Sequence, residues 1–171
     1  IRWILCLLGG QVVPFAVAGV AASNRSFGHR VLAGNVSTEV SGSGHYRHFL
    51  AESNVVLDPQ ERLAKIELSL KQEALNCKAN LLEDKSLLNT VLYLGEHPAV
   101  VCGAFDSEFL RLPREVLVSV MREHQKYFSL LDEQGRILPK FLAVVDSDES
   151  HFEKIRAGHE RVLRARLADA S

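Results

Sequence analysis

Apolar side chains at helical spacing predict several helices in the chain after Asp58. The first helix is predicted to begin at Asp58 and Pro59, because an aspartate can cap a helix and a proline suits its first position. Further helices are predicted at about residues 87–94, at 113–124, and from about 149 to beyond 168. The apolar positions of the first helix are Leu63, Ile66, Leu70, Ala74 and Cys77.

Extended patterns predict strands between these helices. Residues 126–131 and 136–145 are predicted to form a hairpin around Asp132-Glu133-Gln134-Gly135, and residues 99–105 a short buried strand. Pro139 has no backbone N–H, so it must lie at an edge or in a bulge of that hairpin. Helices mixed with antiparallel hairpins predict an α+β fold, with antiparallel hairpins packed with several helices.

The front of the chain supports two interpretations. Residues 2–8 and 11–20 are apolar segments around Gly9-Gly10, which is the pattern of a β-hairpin. The same residues resemble a secretory signal, with a basic start, an apolar stretch and small residues towards its end. Gly9-Gly10 and Pro14 interrupt that stretch, which favours the hairpin over the signal.

The segment that follows, residues 21–54, shows no clean period of apolar positions. Glycines recur there among Ser and Asn residues. We therefore expect mostly loop with short pieces of structure. A helical turn is expected at residues 45–50.

The net charge limits the possible functions. The 171 residues are 47% hydrophobic and 24% charged, which is ordinary for a globular protein. The net charge is −1, whereas a stand-alone nucleic-acid binder usually carries a basic excess. Any contact with RNA must therefore come from a local basic patch.

The cysteines Cys6, Cys77 and Cys102 show no paired spacing. This argues against a disulfide framework and against a zinc site. We interpret all of them as small core residues, which fits a reducing compartment. The chain begins at Ile1 and ends at Ser171 within a helical pattern, so we expect it to be a fragment.

Catalytic motifs are not found. The chain has no glycine-rich phosphate loop, and no serine lies in a nucleophile elbow. His159-Glu160 is not followed by a second histidine at the spacing of a zinc protease. No catalytic residue and no metal ligand is therefore predicted.

His124 interrupts the apolar pattern of its predicted helix. At about 100° per residue it falls within an arc of apolar side chains. One interpretation is a core histidine that caps the helix end or bonds a carbonyl group. The other is a polar cluster of residues 124–127 at a helix-to-strand corner, able to hold RNA backbone or a partner subunit. The arc comprises Val116, Leu117, Val120 and Met121.

The last predicted helix places charged side chains among apolar ones. His159 and Arg166 fall inside its apolar stripe by angle, and a buried Arg166 could pair with Asp169. The opposite side is either a solvated basic face or a strip that follows phosphates. The stripe comprises Phe152, Ile155, Val162, Leu163 and Leu167. The basic residues on the other side are Lys154, Arg161 and Arg164.

Three runs closely resemble the beta subunit of the bacterial-type glycyl-tRNA synthetase. They are Leu112-Pro113-Arg114-Glu115-Val116-Leu117, His124-Gln125-Lys126-Tyr127-Phe128, and Gly158-His159-Glu160-Arg161-Val162-Leu163-Arg164-Ala165-Arg166-Leu167-Ala168-Asp169-Ala170. The front resembles the same subunit from Ile1-Arg2-Trp3-Ile4 onwards, so the resemblance covers nearly the whole chain. The family usually has Asn where this chain has His159.

The resemblance implies a part in a glycine–tRNA ligase, which joins glycine to tRNA(Gly) with ATP and Mg²⁺. In this family a separate alpha subunit, or a fused alpha region, forms the adenylate and would hold ATP and Mg²⁺. The beta subunit recognises tRNA and is needed for the assembled enzyme's activity. A beta fragment would bind neither cofactor and would be inactive alone.

The resemblance also implies a domain organisation and a location. Residues 1–148 would form an α+β N-terminal-type domain, and residues 149–171 would begin a helical region leading to downstream domains. The protein would lie in the bacterial cytoplasm or in an organelle, a plastid or mitochondrion, without contact with a membrane. These statements follow from the resemblance and not from the spacing of residues.

Basic residues in the resembling runs are the candidates for contact with tRNA or with a partner subunit. The alternative is a purely structural domain of the ligase without direct tRNA contact. The candidates are His29, Arg30, His124, Lys126, Arg161, Arg164 and Arg166.

Overall fold

The computed structural model describes residues 1–171, which form two compact units, Ile1–Asp58 and Pro59–Ser171. The first unit consists of short strands and one helix. In chain order these are β1 (Ile4–Leu5), β2 (Leu7–Leu8), β3 (Gln11–Val12), β4 (Ala16–Val17), β5 (Val20–Ser23), β6 (Arg25–Phe27), β7 (Ser37–Glu39) and α1 (Ser43–Glu52). β1, β5 and β4 form a three-stranded sheet in which β1 and β5 are parallel.

The hairpin predicted around Gly9-Gly10 is confirmed, but it is shorter than predicted. β2 and β3 pair antiparallel, and the glycines between them have φ values of 57° and 84°, which glycine adopts without strain. The prediction of one strand over residues 11–20 is wrong. Pro14 has no N–H for a ladder, and the chain reverses at Ala18-Gly19, so that β4 pairs with β5.

Residues 21–54 contain more regular structure than expected. β6 and β7 pair antiparallel, with Arg25 opposite Glu39. The helical turn expected at residues 45–50 is confirmed, because α1 includes it. The two strands escape prediction because they are short and partly polar, and each depends on a partner across a loop.

The second unit alternates helices with longer strands. Its elements are α2 (Pro59–Asn76), β8 (Asn80–Leu81), α3 (Lys85–Val91), β9 (Pro98–Ala104), α4 (Arg114–Ser119), β10 (Tyr127–Leu131), β11 (Ile137–Asp146) and α5 (Phe152–Asp169). Short 3-10 segments lie at Ser107–Arg111 and Glu149–His151, and a π-turn at Val120–His124 continues α4. The predicted helices and strands of this unit are confirmed to within a few residues.

The strands β8, β10, β11 and β9 form, in that order, a four-stranded antiparallel sheet. Successive side chains of a strand point to opposite faces, and here both faces are buried. Phe128 and Leu142 pack on one face with α2 and α3. Val101 and Phe141 pack on the other face with α4, the π-turn and α5. The sheet thus lies between two helical layers, and the predicted α+β class is confirmed.

Pro139 lies in a bulge of the hairpin. β11 is an internal strand between β10 and β9, so an edge position is excluded. Ser129 pairs with Phe141 and Leu131 with Ile137, so β11 carries extra residues at this point of the ladder. The bulge accommodates a residue without an N–H. Of the two predicted positions for Pro139, an edge or a bulge, the bulge is therefore confirmed.

The cysteines are free and half-buried. Cys77 and Cys102 pack against the apolar core between the sheet and α2, as predicted for small core residues. Cys6 lies in the first unit, in the link between β1 and β2, and belongs to neither apolar cluster. The core interpretation therefore holds for two of the three cysteines.

The helix α5 belongs to the core of the second unit. Leu163 and Leu167 are fully buried in the cluster that includes Phe141. The domain boundary expected after residue 148 stays a prediction. None of the helices has both the length and the apolar content that crossing a membrane requires.

A substitution at Gly103 tests the packing of the sheet face under α5. Gly103→Ala is expected to lower the free energy of unfolding by about 1–3 kcal/mol, because the new β-carbon would lie 2.4 Å from Cζ of the buried Phe141 ring. Urea denaturation measures the change. The matched control is Gly158→Ala in α5, whose β-carbon meets nothing within 4 Å; it should stabilise the helix by about 0.5–1 kcal/mol. Equal effects of the two substitutions would contradict the packing argument.

Candidate nucleic-acid interface

The predicted contact residues are divided between the two units. His29 and Arg30 lie in the first unit, between β6 and β7. His124 and Lys126 lie in the second unit, at the corner between the π-turn and β10. The predicted arginines, which are Arg161, Arg164 and Arg166, lie on α5 of the same unit.

His29 is an internal residue of the first unit. Its ring is buried, and Nδ1 accepts hydrogen bonds from the backbone N–H groups of Val31 and Leu32 at 3.3 and 3.1 Å. The backbone N–H of His29 donates to the carbonyl oxygen of Ser53 at 2.9 Å. These bonds hold the loop after β6 against the end of α1. Arg30, by contrast, is exposed.

The core interpretation of His124 is wrong. Leu117, Val120 and Met121 are buried as the apolar arc predicts, but His124 is exposed. The reason is the π-turn at Val120–His124, whose wider turns rotate later residues away from the positions expected for an α-helix. The other interpretation, a polar corner, is the one compatible with this exposure.

Lys126 is partly engaged in closing that corner. Its φ is 60°, and its Nζ donates to the carbonyl oxygen of Glu123 at 2.9 Å. Its backbone N–H donates to the carbonyl oxygen of Arg122 at 3.2 Å. A lysine at a helix C-terminus satisfies carbonyl groups that have no partner within the helix. Tyr127 is buried, so it does not belong to the polar cluster predicted there.

An ion pair that the sequence did not reveal holds the π-turn in place. Nε of Arg122 lies 2.5 Å from Oδ2 of Asp84, and Arg122 also bonds Glu123. Asp84 caps α3 by accepting from the N–H of Leu87 at 2.8 Å. Burial alone would raise the pKa of Asp84, but the Leu87 N–H and the Arg122 guanidinium outweigh it and lower that pKa. An aspartate before a helix signals the cap, whereas nothing local signals the arginine.

Polar side chains fix α5 along the edge of the sheet. Oε1 of Glu160 accepts a hydrogen bond from the backbone N–H of Ala104 at 2.9 Å. Nε of Arg164 donates to Oδ2 of Asp106 at 2.9 Å. Arg164 is thus tied to its own protein, although such an exposed pair contributes little stability.

The prediction that Arg166 lies buried in the apolar stripe is wrong, because Arg166 is exposed. The more buried positions of α5 follow every fourth residue, from Ile155 through His159 and Leu163 to Leu167. Such a row drifts around the helix by about 40° per step, as expected when a helix packs along its i±4 ridge. Arg166 therefore lies beside the row and not within it.

His159 is the polar member of that row. Its Nδ1 lies 2.5 Å from the hydroxyl oxygen of Tyr127, and the two rings meet edge to face at 5.2 Å. Tyr127 in turn stacks on Phe141 at 4.3 Å. Burial raises the pKa of Tyr127 to about 12 and lowers the pKa of His159. Both groups are therefore neutral at neutral pH, and their bond joins α5 to β10.

These contacts leave one face of α5 exposed. Lys154 and Arg161 are both exposed, and at about 100° per residue they lie on the side opposite the buried row. They are separated by two helical turns, about 10.5 Å along the axis. We call this pair the outer face of α5. The π-turn that carries His124 packs against the same helix.

The burial of His159 predicts a pH dependence. The pKa of His159 is lowered in the folded protein, so the unfolded chain takes up this proton more readily. The contribution of the neutral His159 to the free energy of unfolding is complete above the ordinary histidine pKa of about 6.5. It is lost as the pH falls through the lower pKa of the folded protein. The free energy of unfolding should therefore decline less between about pH 7 and pH 5 in His159→Asn than in the parent chain. Urea denaturation at each pH measures the decline.

The matched control for this measurement is His124→Asn, which removes an exposed histidine. It should keep the decline of the parent chain. If both variants keep the full decline, burial of His159 does not cause it.

Comparison with known proteins identifies the family. The family model described as glycyl-tRNA synthetase beta subunit matches residues 1–171. The glycine–tRNA ligase beta subunit of Citrifermentans bemidjiense is 42% identical over 170 residues, which are 99% of this chain and 25% of that protein. That of Moorella thermoacetica is 40% identical over 171 residues, 100% of this chain and 24% of that protein.

The glycine–tRNA ligase beta subunit of Synechocystis sp. is 42% identical over 178 residues, 99% of this chain and 24% of that protein. The chain thus spans about a quarter of the length of the curated relatives it matches. A family match over every residue, supported by these identities, shows that the chain belongs to the glycyl-tRNA synthetase beta subunit family.

Proposed function

We propose that this chain is part of a glycine–tRNA ligase, in which it contacts tRNA(Gly) through the outer face of α5. The observation that carries the proposal is the exposure of Lys154 and Arg161 on the helix side that does not dock on the sheet. Membership of the glycyl-tRNA synthetase beta subunit family supports the substrate. Lysine and arginine side chains are the groups that most often bind phosphate oxygens.

The docking of α5 makes its outer face a suitable support for such contacts. The buried row, the Glu160–Ala104 bond and the Tyr127–His159 bond all lie on the inner side or its flanks. A helix held in this way cannot rotate to bury its basic groups. The backbone positions that carry the two cations are therefore fixed, which lowers the entropy lost when a ligand binds.

The near-neutral charge of the chain fits a contact that is local. With 20 basic and 21 acidic side chains, the protein has no general attraction for nucleic acid. In this proposal, binding of tRNA is shared with other regions of a longer subunit, since the chain spans about a quarter of the length of its relative. The exposed Arg30, His124 and Arg166 are further candidates for contact with tRNA or with a partner subunit.

The chemistry of glycine activation belongs, in this proposal, to a different polypeptide region. An alpha subunit, or an alpha region fused in front, binds ATP and Mg²⁺ and forms the adenylate. This chain serves recognition of tRNA and assembly with that alpha region. Each relative is named a glycine–tRNA ligase beta subunit, which supports the presence of a further subunit in the enzyme.

A second candidate is a purely structural part of the ligase without direct tRNA contact. It is favoured by the internal contacts of several predicted residues. His29 is buried, Lys126 bonds the carbonyl of Glu123, and Arg164 pairs with Asp106. For these residues, loss of the side chain would act first on the fold.

The double variant Lys154→Ala/Arg161→Ala distinguishes the two candidates. In the assembled ligase we expect about tenfold weaker binding of tRNA(Gly) at moderate salt. The plot of the logarithm of the association constant against the logarithm of salt concentration has a negative slope. The magnitude of that slope should decrease by about two, because each lost phosphate contact removes about one. Filter binding or fluorescence anisotropy at several salt concentrations measures both quantities.

The matched control is Lys71→Ala/Lys85→Ala. It removes the same charge from α2 and α3, which cover the opposite face of the sheet. It should leave both the affinity and the salt slope unchanged. If the two double variants behave alike, the outer face of α5 does not bind tRNA and the structural candidate is favoured.

A further inference from the structure

Cys77 is held in place by the end of α2. Its N–H donates to the carbonyl oxygen of Glu73 at 3.0 Å. The following residues close the helix: Lys78 has a φ of 52° and donates to Leu75, and Ala79 donates to Ala74, both at 2.9 Å. This is the pattern of a Schellman motif, which satisfies the last carbonyl groups of a helix. The backbone that carries the Cys77 sulfur is therefore well defined.

Cys102 is held by a different element. It lies in β9, where it is paired with Leu142 of β11. Both cysteines pack against the same apolar core between the sheet and α2. Their Sγ atoms lie 2.9 Å apart, although the residues are 25 positions apart in the chain. Two separately fixed elements thus bring two thiols into direct contact.

We infer that Cys77 and Cys102 are a site of reversible oxidation, at which a low-molecular-weight disulfide such as oxidised glutathione converts the two thiols into one internal disulfide. Contact between the sulfurs means that bond formation requires little movement of α2 or β9. Both side chains are half-buried and not sealed, so a small oxidant can approach them. Neither cysteine has a part in the contact with tRNA proposed above.

The exchange proceeds in two balanced steps. One of the two cysteines, as its thiolate, attacks one sulfur of the oxidant, the oxidant's S–S bond breaks, and one glutathione thiolate leaves. The other cysteine then gives up its proton and attacks the protein sulfur of the mixed disulfide, which releases the second glutathione. The two glutathione thiolates take up the two protons. In total, two protein thiols are oxidised and one glutathione disulfide is reduced.

The surroundings of Cys102 make the exchange dependent on pH. Burial, followed by the contact with Cys77, raises the pKa of the Cys102 thiol to about 12. Cys102 therefore keeps its proton at neutral pH, and the thiolate is the reactive form of a cysteine. Oxidation should be slower at neutral pH than at alkaline pH.

The disulfide would join the end of α2 to β9 and enclose β8 and α3 in a covalent loop. A link of this kind restricts the unfolded chain more than the folded one. The oxidised protein should therefore unfold at a higher urea concentration than the reduced protein.

The test uses the purified chain, reduced, freed of reductant and incubated with oxidised glutathione at about pH 8. Free thiols are then counted with a maleimide-linked polyethylene glycol after unfolding. The chain has three cysteines, and we expect one reactive thiol after oxidation, with a mass lower by two hydrogen atoms and no bound glutathione. Peptide mapping should place the link between Cys77 and Cys102, and dithiothreitol should restore all three thiols.

Cysteine variants provide the controls. Cys6→Ser removes a thiol of the other unit and should leave the internal disulfide intact. Cys102→Ser should stop the reaction at a mixed disulfide between glutathione and Cys77. Three thiols after oxidation, or glutathione bound to both Cys77 and Cys102 in the parent chain, would overturn the inference. A link that includes Cys6 would also overturn it.

Discussion

The second unit depends on covering both faces of one antiparallel sheet. β10, β11 and β9 carry apolar residues at successive positions, such as Tyr127 and Phe128, so neither face can be left in water. Burial of a large apolar side chain contributes about 1.5–3 kcal/mol, which makes the two helical layers obligatory. α2 and α3 cover one face, and α4, the π-turn and α5 cover the other. Which helices form each outer surface of this unit follows from this distribution over the two faces of the sheet.

The features recognised from the sequence are those with local causes. α2 begins at a proline that follows Asp58. In the hairpin of β10 and β11, successive side chains point to alternate faces of the sheet. Even the bulge at Pro139 follows from a single missing N–H. The short strands of the first unit lack such causes, because β6 and β7 are defined only by pairing with each other.

The candidate interface was recognised less completely, for reasons of helix geometry. His124 is displaced by a π-turn, and Arg166 by the drift of the buried row, and both effects arise from packing and not from spacing. The partners of Arg122 and of Tyr127 are 38 and 32 positions away in the chain. The sequence therefore indicated which helix carries basic residues but not which of them are tied to the protein itself.

The bond between Glu160 and Ala104 has a consequence for the colloidal behaviour of the protein. β9 is an outer strand of its sheet, and an outer strand with free N–H and carbonyl groups can recruit a strand from another molecule. Here the strand begins at Pro98, which has no N–H to offer, and the carboxylate of Glu160 occupies the N–H of Ala104 at the other end. The helix that presents basic groups to solvent thus also protects the sheet border from edge-to-edge aggregation.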